Sequence, residues 1–261
     1  MGIDLMSGNW RWAGARSIGT SHIKSGAPCQ DYACAKEFLT REGPVLAAVV
    51  SDGAGSVSHA EFGSRTVCVA FLRACGEFLG KSPLAVFDEE IAWDWVDAMR
   101  EAINVKAEAA AARPRDFAAT LVGLLIGADR TIIVHVGDGA AVVRCAGADR
   151  WEVPSWPFQG EYASTTSFVT DDPQPRLDVV AIDGRVDEFA LFSDGIERMV
   201  LDHVAKIPHD PFFNRMTGPL KGSSLLGEDR SLSSALRSYL DGPNVCERTD
   251  DDKSLILGVR V

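Results

Sequence analysis

The chain has 261 residues, of which 46% are hydrophobic and 24% are charged, so it can bury a large core and is not a disordered chain. Its formal net charge of −11 disfavours nucleic acid and anionic membrane as partners, because both are bound through positive charge. The sequence shows neither eighteen uninterrupted apolar residues nor a basic start followed by an apolar segment, so we expect neither a membrane span nor a secretion signal. Its six cysteines include no Cys-x-x-Cys pair, which favours reduced thiols and a cytoplasmic protein.

The first half of the chain predicts three strands followed by two long helices. Residues 9–23 and 31–39 predict short strands joined by a Gly-Ala-Pro turn, and residues 45–51 predict a buried strand. Apolar residues at helical spacing then predict amphipathic helices over 58–79 and 88–112. We therefore expect a pair of helices in the middle of the chain.

The second half of the chain returns to strands. Helical segments are predicted over 195–206 and 229–240, on either side of a Pro/Gly-rich stretch at 207–227. Because most consecutive strands are joined by short turns, the pattern favours an antiparallel α+β fold over a parallel one. The predicted strands of this half are 117–126, 130–137, 140–145, 177–183, 187–193 and 255–261.

The stretch 152–176 has a different composition from the rest of the chain. It combines four prolines with several serines, threonines and aromatic residues. This composition predicts an ordered but irregular loop, of a length that often serves a function. We interpret it as a flap over a cleft, with a loop that covers a sheet edge as the alternative.

Short acidic segments are the chain's most informative feature. Asp52 follows the apolar run 45–50, and Asp194 follows the apolar run 189–192. A strand that stays apolar to its end and then continues into Asp-Gly carries a carboxylate to the rim of a sheet, where glycine lets the backbone turn sharply. Several such rims meeting at one point would make an all-oxygen site for hard divalent cations.

Simpler explanations exist for the same residues. Asp52 and Asp194 can each be turn-forming or capping residues after a strand. Asp138, in the Gly137-Asp138-Gly139 hairpin, needs no metal to explain it. His135 alternates with apolar neighbours and is interpreted as a strand histidine with satisfied hydrogen bonds.

The ordered set of motifs is more specific than any one of them. Over residues 12–261 the chain resembles the metal-dependent protein phosphatase family, type 2C, and in particular its compact bacterial branch. The resemblance implies one domain over residues 1–261, folded as a four-layer αββα sandwich of two antiparallel sheets flanked by helix pairs, with a dinuclear metal cleft at one edge. The motifs are Ser21-His22-x-x-x-Gly26-x-Pro28-Cys29-Gln30-Asp31, Ser51-Asp52-Gly53-Ala54-Gly55-Ser56, Gly137-Asp138-Gly139, Ser193-Asp194-Gly195 and Asp251-Asp252-Lys253-Ser254.

The resemblance also implies a set of metal ligands. Asp52 would bridge two Mn²⁺ or Mg²⁺ ions, and the Gly53 carbonyl would contact one of them. Asp194 and Asp251 would bind the other ion, while Asp31 would lie beside the site and act mostly through water. The four aspartates are therefore the candidate catalytic residues as well as metal ligands, and Gly53 is a metal ligand only.

The chain departs from the family pattern at several positions. Asp138 matches an aspartate near a third, weaker metal position, but Arg198 stands where the family often has a further aspartate, so we do not expect a well-occupied third site. Ala54 stands where many members have a histidine, which leaves the general acid unassigned. Gly26 stands near the place of a phosphate-binding arginine, and neutral Gln30 replaces an acidic residue.

The function implied by the resemblance is hydrolysis of phosphoserine and phosphothreonine in proteins. The attacking group would be a water that bridges the two ions and is acidified by them. A phosphoprotein substrate and an opposing Ser/Thr kinase are the expected partners. The alternative is a catalytically silent binding module on the same fold, suggested by the missing phosphate-binding and acid residues. A small-molecule phosphatase is a third option.

Overall fold

The computed structural model describes residues 10–158 and 166–261. These residues contain seven α-helices: α1 Thr20–Ser25, α2 Ala60–Leu79, α3 Glu89–Ala109, α4 Asp194–Val200, α5 Asp210–Gly222, α6 Arg230–Leu240 and α7 Pro243–Cys246. Two short 3-10 helices lie at Leu84–Val86 and Pro114–Phe117. The strands are β1 Trp10–Ser17, β2 Tyr32–Thr40, β3 Gly43–Ser51, β4 Leu121–Ile126, β5 Arg130–Val136, β6 Ala140–Cys145, β7 Glu152–Ser155, β8 Asp178–Asp183, β9 Val186–Phe192, β10 Leu201–Asp202, β11 Ile207–Pro208, β12 Gly227–Glu228 and β13 Lys253–Arg260.

Two large sheets form the centre of the molecule. The first has the order β12-β1-β13-β9-β6-β7, and the second has the order β2-β3-β4-β5-β8. Neighbouring strands run antiparallel, apart from the short parallel pair of β1 and β12. The two strands β10 and β11 pair only with each other.

The strands are apolar on both faces because each sheet is covered on both sides. Along β3, Leu46 and Val50 point into a cluster between the two sheets, while Ala47 and Val49 point into a cluster under α2 and α3. A third cluster joins the outer face of the first sheet to α5 and α6, through side chains such as Phe213. The alternation has the period of two that a strand imposes. The layers are therefore αββα, and the predicted fold class is confirmed.

Several stretches differ from the sequence predictions. The helix predicted over 195–206 ends at Val200 and is followed by β10, and the loop predicted over 152–176 begins with β7. The strand predicted over 9–23 ends at Ser17, and α1 follows it. The Pro/Gly-rich stretch 207–227 contains α5, in which Phe213 and Leu220 are buried although Pro219 lies inside the helix. Burial of one apolar face stabilises this helix against the hydrogen bond that proline removes, so tertiary packing overrides the local breaker signal. Residues 159–165 of the predicted flap lie outside the described residues.

The layer between the sheets supplies a test of the fold. Phe189 is fully buried there, and its ring meets Trp10 edge-on with the centroids 5.3 Å apart. We expect Phe189→Ala to lower the free energy of unfolding by about 3–5 kcal/mol, because it leaves a cavity that the two sheets cannot close. Urea unfolding measures the effect. The matched control is Phe62→Ala on α2, where the ring is 50% exposed and the expected loss is below about 1 kcal/mol. Equal losses in the two variants would contradict this packing.

Candidate metal centre

Asp52 directly follows β3 and is held by Thr120, the residue before β4. Its N–H donates to Thr120 Oγ1 at 2.9 Å, and its carbonyl accepts from Thr120 N at 2.8 Å. Gly53 N donates to the Gln30 carbonyl at 3.2 Å, which brings the first acidic motif beside the second. A Cβ on Gly53 would collide with the backbone of Ala60 at the start of α2. The position therefore requires glycine because the helix approaches the turn closely.

Asp194 lies at the end of β9 and begins α4. A Cβ on Gly195 would collide with the carbonyl oxygen of Asp252, so this turn also requires glycine. Ser193 ties the site together, since its Oγ donates to Asp31 Oδ2 at 2.7 Å and accepts from Ser254 N at 3.0 Å. The strands β9 and β13 therefore fix the orientation of the Asp31 carboxylate.

Three carboxylates meet at this edge of the sandwich. Asp52, Asp138 and Asp194 each present an oxygen within 4.8 Å of the oxygens of the other two. Asp138 lies in the turn between β5 and β6, where Gly137 has a φ of 113°, in the region that favours glycine, and Asp138 accepts a hydrogen bond from Thr166. These oxygens therefore lie close enough together for one ion to contact more than one carboxylate.

Buried oxygens without hydrogen bonds show that the carboxylates fit a metal. Asp31 Oδ1, Asp138 Oδ1 and Asp194 Oδ1 are buried and accept no hydrogen bond from any described residue. A buried carboxylate oxygen is costly unless a donor or a cation satisfies it. All the donors at this site are oxygens, which suits a hard divalent cation such as Mg²⁺ or Mn²⁺. The residues present therefore fit the predicted metal site.

The pKa values of the aspartates are raised by burial first and by neighbouring acidic charges second. Burial raises the pKa of Asp194 from 3.8 to about 8, with the charges of Asp138 and Asp251 adding to the effect. Burial, followed by the charges of Asp31 and Asp194, holds the pKa of Asp52 well above its usual range. Burial likewise raises the pKa of Asp31 to about 6, although hydrogen bonds oppose the shift. Without a cation, the cluster holds protons that free aspartates would lose.

A polar cavity of about 320 Å³ opens above these carboxylates. Asp138 and Asp194 line it, and Asp251 lies exposed at its rim. Asp251 is not one of the three carboxylates that meet within 4.8 Å, but its charge raises the pKa of both Asp52 and Asp194. Its assignment as a metal ligand stays a prediction, as do those of Asp31, Asp52, Gly53, Asp138 and Asp194.

Two neighbouring aspartates of the acidic run 250–252 have different roles. Asp252, next to Asp251, is buried and accepts from Gly19 N at 2.6 Å and from Gln30 N at 2.5 Å. It also contacts His22 Nδ1 at 2.9 Å, so His22 is engaged in structure rather than directed into the cavity. Asp252 fastens the N-terminal motif to β13, while Asp251 faces the cavity.

Two arginines at the cavity were missed by the sequence analysis as functional residues. Arg198 and Arg248 are exposed side chains that line the same cavity as Asp138 and Asp194. Arg198 lies four residues after Asp194 on α4, and this spacing places both on one face of a helix. That spacing is a signal that the sequence carries. The position of Arg248 depends on how α7 packs, so the sequence alone does not reveal it.

Comparisons with known proteins agree with this geometry. The family model described as Protein phosphatase 2C matches residues 18–241. Serine/threonine-protein phosphatase 3 of Escherichia coli (strain K12) is 36% identical over 254 residues, which cover 96% of this chain and 98% of the relative. Among the described residues, no helix is long and apolar enough to cross a membrane.

Solved structures show the same fold at low sequence identity. The catalytic domain of the serine threonine protein phosphatase PstP, in complex with two manganese ions, has a TM-score of 0.62 and 18% identity, covering 97% of this chain and 98% of that one. Serine/threonine phosphatase Stp1 from Staphylococcus aureus has a TM-score of 0.60 and 16% identity, covering 96% of this chain and 94% of that one. The serine/threonine phosphatase of S. agalactiae has a TM-score of 0.60 and 15% identity, covering 97% of this chain and 100% of that one.

The raised pKa of Asp194 predicts how pH affects the metal-free protein. Its folded-state pKa of about 8 lies above the unfolded value of 3.8, so the stability that protonation provides is present at low pH and is lost as pH rises through about 8. We expect the melting temperature of EDTA-treated protein to fall, relative to Asp194→Asn, between about pH 5.5 and 8.5. Free Mn²⁺ at about 100 times its Kd should then stabilise the wild type by about 2.7 kcal/mol.

Thermal unfolding across this pH range measures the difference. Asp149→Asn, in an exposed loop, is the matched control and should keep the wild-type pH slope. Parallel pH profiles for the wild type and Asp194→Asn would show that the pKa of Asp194 is not raised in the folded protein.

Proposed function

Because the chain belongs to the protein phosphatase 2C family, we propose that it is a metal-dependent phosphatase that hydrolyses phosphoserine and phosphothreonine in proteins. The observation that carries the proposal is the meeting of Asp52, Asp138 and Asp194 at the rim of the sandwich. A site of oxygen donors with unsatisfied carboxylates supports two divalent cations, either Mn²⁺ or Mg²⁺.

The ligand assignment follows the predicted one. Asp52 would hold both ions, and Gly53, the next residue in the turn after β3, would contribute its carbonyl. Asp194 and Asp251, which both line the cavity, would hold one of the ions. Asp138 offers a further oxygen, which is available to a third cation or to water. When bound, such ions neutralise the carboxylates and supply an acidified water that can attack phosphorus.

The chain's own residues orient the reactants. Ser193 occupies Asp31 Oδ2, so Oδ1 is the oxygen left to accept a hydrogen bond from a water in the site. Arg198 and Arg248 place positive charge at the rim of an acidic cavity, which lets a phosphoryl dianion enter against the field of the aspartates. Burial and nearby acids raise the pKa of Cys29 to about 12, which keeps the thiol closest to Asp31 in sequence protonated and unreactive.

The open rim favours a protein substrate over a small molecule. Arg198, Arg248 and Asp251 are exposed, so the cavity meets solvent along an acidic and basic edge rather than closing around a ligand. We propose an opposing Ser/Thr kinase as the second partner, since a phosphoprotein substrate requires one. A cytoplasmic location is supported by the six cysteines, which are all free in the structure.

The silent binding module is the second candidate, and Ala54 motivates it. Ala54 is buried, and its methyl group offers no proton to a leaving group. The retained carboxylates favour the enzyme, because a module without catalysis has no need for buried, unsatisfied aspartates that cost stability. Turnover of substrate separates the two candidates.

Metal-dependent turnover is the direct test of the enzyme. We expect hydrolysis of p-nitrophenyl phosphate and of phosphoserine peptides with Mn²⁺, and none after EDTA. Asp52→Asn and Asp194→Asn should each lower kcat by about 100-fold or more, because each removes charge that holds the ions. Asp149→Asn is the matched control and should retain full activity. Binding of Mn²⁺ by calorimetry without any turnover would favour the binding module instead.

The two rim arginines give a separate prediction. Arg198→Ala should raise KM for p-nitrophenyl phosphate by about two- to fivefold, since an exposed charge contributes at most about 1 kcal/mol. It should raise the inhibition constant of inorganic phosphate by the same factor, and Arg198→Lys should recover part of the loss. Steady-state kinetics measure both constants, with Arg41→Ala in the exposed β2–β3 turn as the control. A lower kcat with unchanged KM would show that Arg198 acts on the chemistry and not on phosphate binding.

A further inference from the structure

A second cavity adjoins the metal cavity and has a different chemistry. Its volume is about 420 Å³, and Phe158 forms part of the wall of both cavities. Carboxylates outnumber cations by five to two in the lining of the metal cavity, whereas the lining of the second cavity contains two cations and one carboxylate. The side chains that matter here are His135, Trp156, Phe158, Arg176, Asp178 and Lys206.

Both cations are held in place by aromatic rings. The Arg176 guanidinium lies 4.3 Å from the centre of the Phe158 ring, and Lys206 Nζ lies 4.5 Å from the centre of the Trp156 ring. Lys206 has a φ of 55°, which is uncommon for a residue other than glycine. This backbone conformation sets the direction in which the side chain leaves the backbone. Neither cation forms an ion pair with any described residue, so each is available to an anion.

The one carboxylate of the cavity is already engaged. Ser155 Oγ donates to Asp178 Oδ2 at 3.0 Å, and the same Oγ lies 2.6 Å from His135 Nδ1. Since the single Ser155 proton goes to Asp178, the hydroxyl oxygen accepts from Nδ1–H of His135. Asp178 Oδ2 therefore has a partner within the protein, and no ion pair among the described residues joins Asp178 to Arg176 or Lys206.

His135 forms a buried part of the wall of this cavity. The side chain is 3% exposed, and its Nδ1 contacts Ser155 Oγ. Burial lowers the pKa of His135 to about 4, against the opposing effects of the Asp178 charge and of the backbone at Gly137 and Gly139. The ring is therefore neutral near pH 7, and the positive charge of the cavity comes from Arg176 and Lys206.

We propose that this second cavity is a substrate subsite that binds an oxyanion side chain near the phosphorylated residue, either the carboxylate of an acidic residue or a second phosphoryl group. The proposal rests on the proposed phosphatase function. Arg176 and Lys206 take the oxyanion, and the rings of Phe158 and Trp156 hold the two cations beside it. Because Phe158 lines both cavities, they adjoin, and an extended peptide that advances about 3.3–3.6 Å per residue can pass from one to the other.

Competition between phosphopeptides tests the subsite. A peptide series carries one phosphoserine and, at each of about four positions on either side, glutamate, a second phosphoserine, alanine or lysine. We expect kcat/KM to be about two- to fivefold higher with an oxyanion than with alanine at one or two of these positions, and lower with lysine. The preference should weaken in high salt, because exposed charges are screened.

Charge reversal assigns the preference to this cavity. The double variant Arg176→Glu/Lys206→Glu should lose the preference or invert it, and the milder Arg176→Gln/Lys206→Gln should lose it without inversion. The matched control is Arg41→Glu/Lys81→Glu, which makes the same charge change at exposed positions away from both cavities. Turnover of p-nitrophenyl phosphate, which has no flanking residue, should stay at the wild-type rate in all of them.

The outcomes separate the subsite from the enzyme. Glutamate and phosphoserine preferences that disappear in the charge-reversed variant support the subsite, and their ratio identifies the source of the oxyanion. Equal kcat/KM for all four peptide types, with normal aryl phosphate turnover, overturns the subsite and leaves the phosphatase standing. A preference that survives charge reversal also overturns it. Absent turnover of every substrate overturns the phosphatase first.

Discussion

The burial of acidic groups beside one another is the constraint on which the rest of this structure depends. Asp31, Asp52, Asp138 and Asp194 come from four separate stretches of the chain, and burial, with neighbouring acidic charges adding to it, raises the pKa of each. This burial lowers the stability of the folded state. It persists because the packing of the fold holds the carboxylates together and because a bound ligand offsets the unfavourable free energy. Divalent cations relieve it, so binding free energy and folding free energy are linked here.

The sandwich is what holds the carboxylates in place. Each of the two sheets is apolar on both faces, so the strands have one register and their ends stop at fixed points. Gly53 and Gly195 let the turns after β3 and β9 lie against neighbouring backbone that any side chain would push away. Asp252 then ties the N-terminal motif to β13. The site is therefore rigid because its carboxylates lie at the ends of packed strands and not on long loops.

The sequence predicts those parts of the site that local rules determine. An apolar run followed by Asp-Gly is visible at Asp52 and Asp194, and the structure brings both carboxylates together. The helix α5 is not predictable in this way, because Pro219 is a local breaker and only the burial of its apolar face explains the helix. The division of roles between Asp251 and Asp252 also depends on which backbone N–H groups lie nearby, and those belong to residues more than 200 positions away.

The arrangement of charge links the metal cavity to substrate choice. In a chain with a net charge of −11, a phosphoprotein meets a repulsive surface, so productive approach is favoured where cations lie beside the metal cavity. Arg198 and Arg248 rim the metal cavity, and Arg176 and Lys206 lie across Phe158 from it. Aromatic rings hold the latter pair without neutralising them, whereas an ion pair would have cancelled their charge. Phe158 therefore separates the carboxylates of the metal cavity from Arg176 and Lys206. Because these two cations are in no ion pair among the described residues, they are placed to act on a substrate that is long enough to span both cavities.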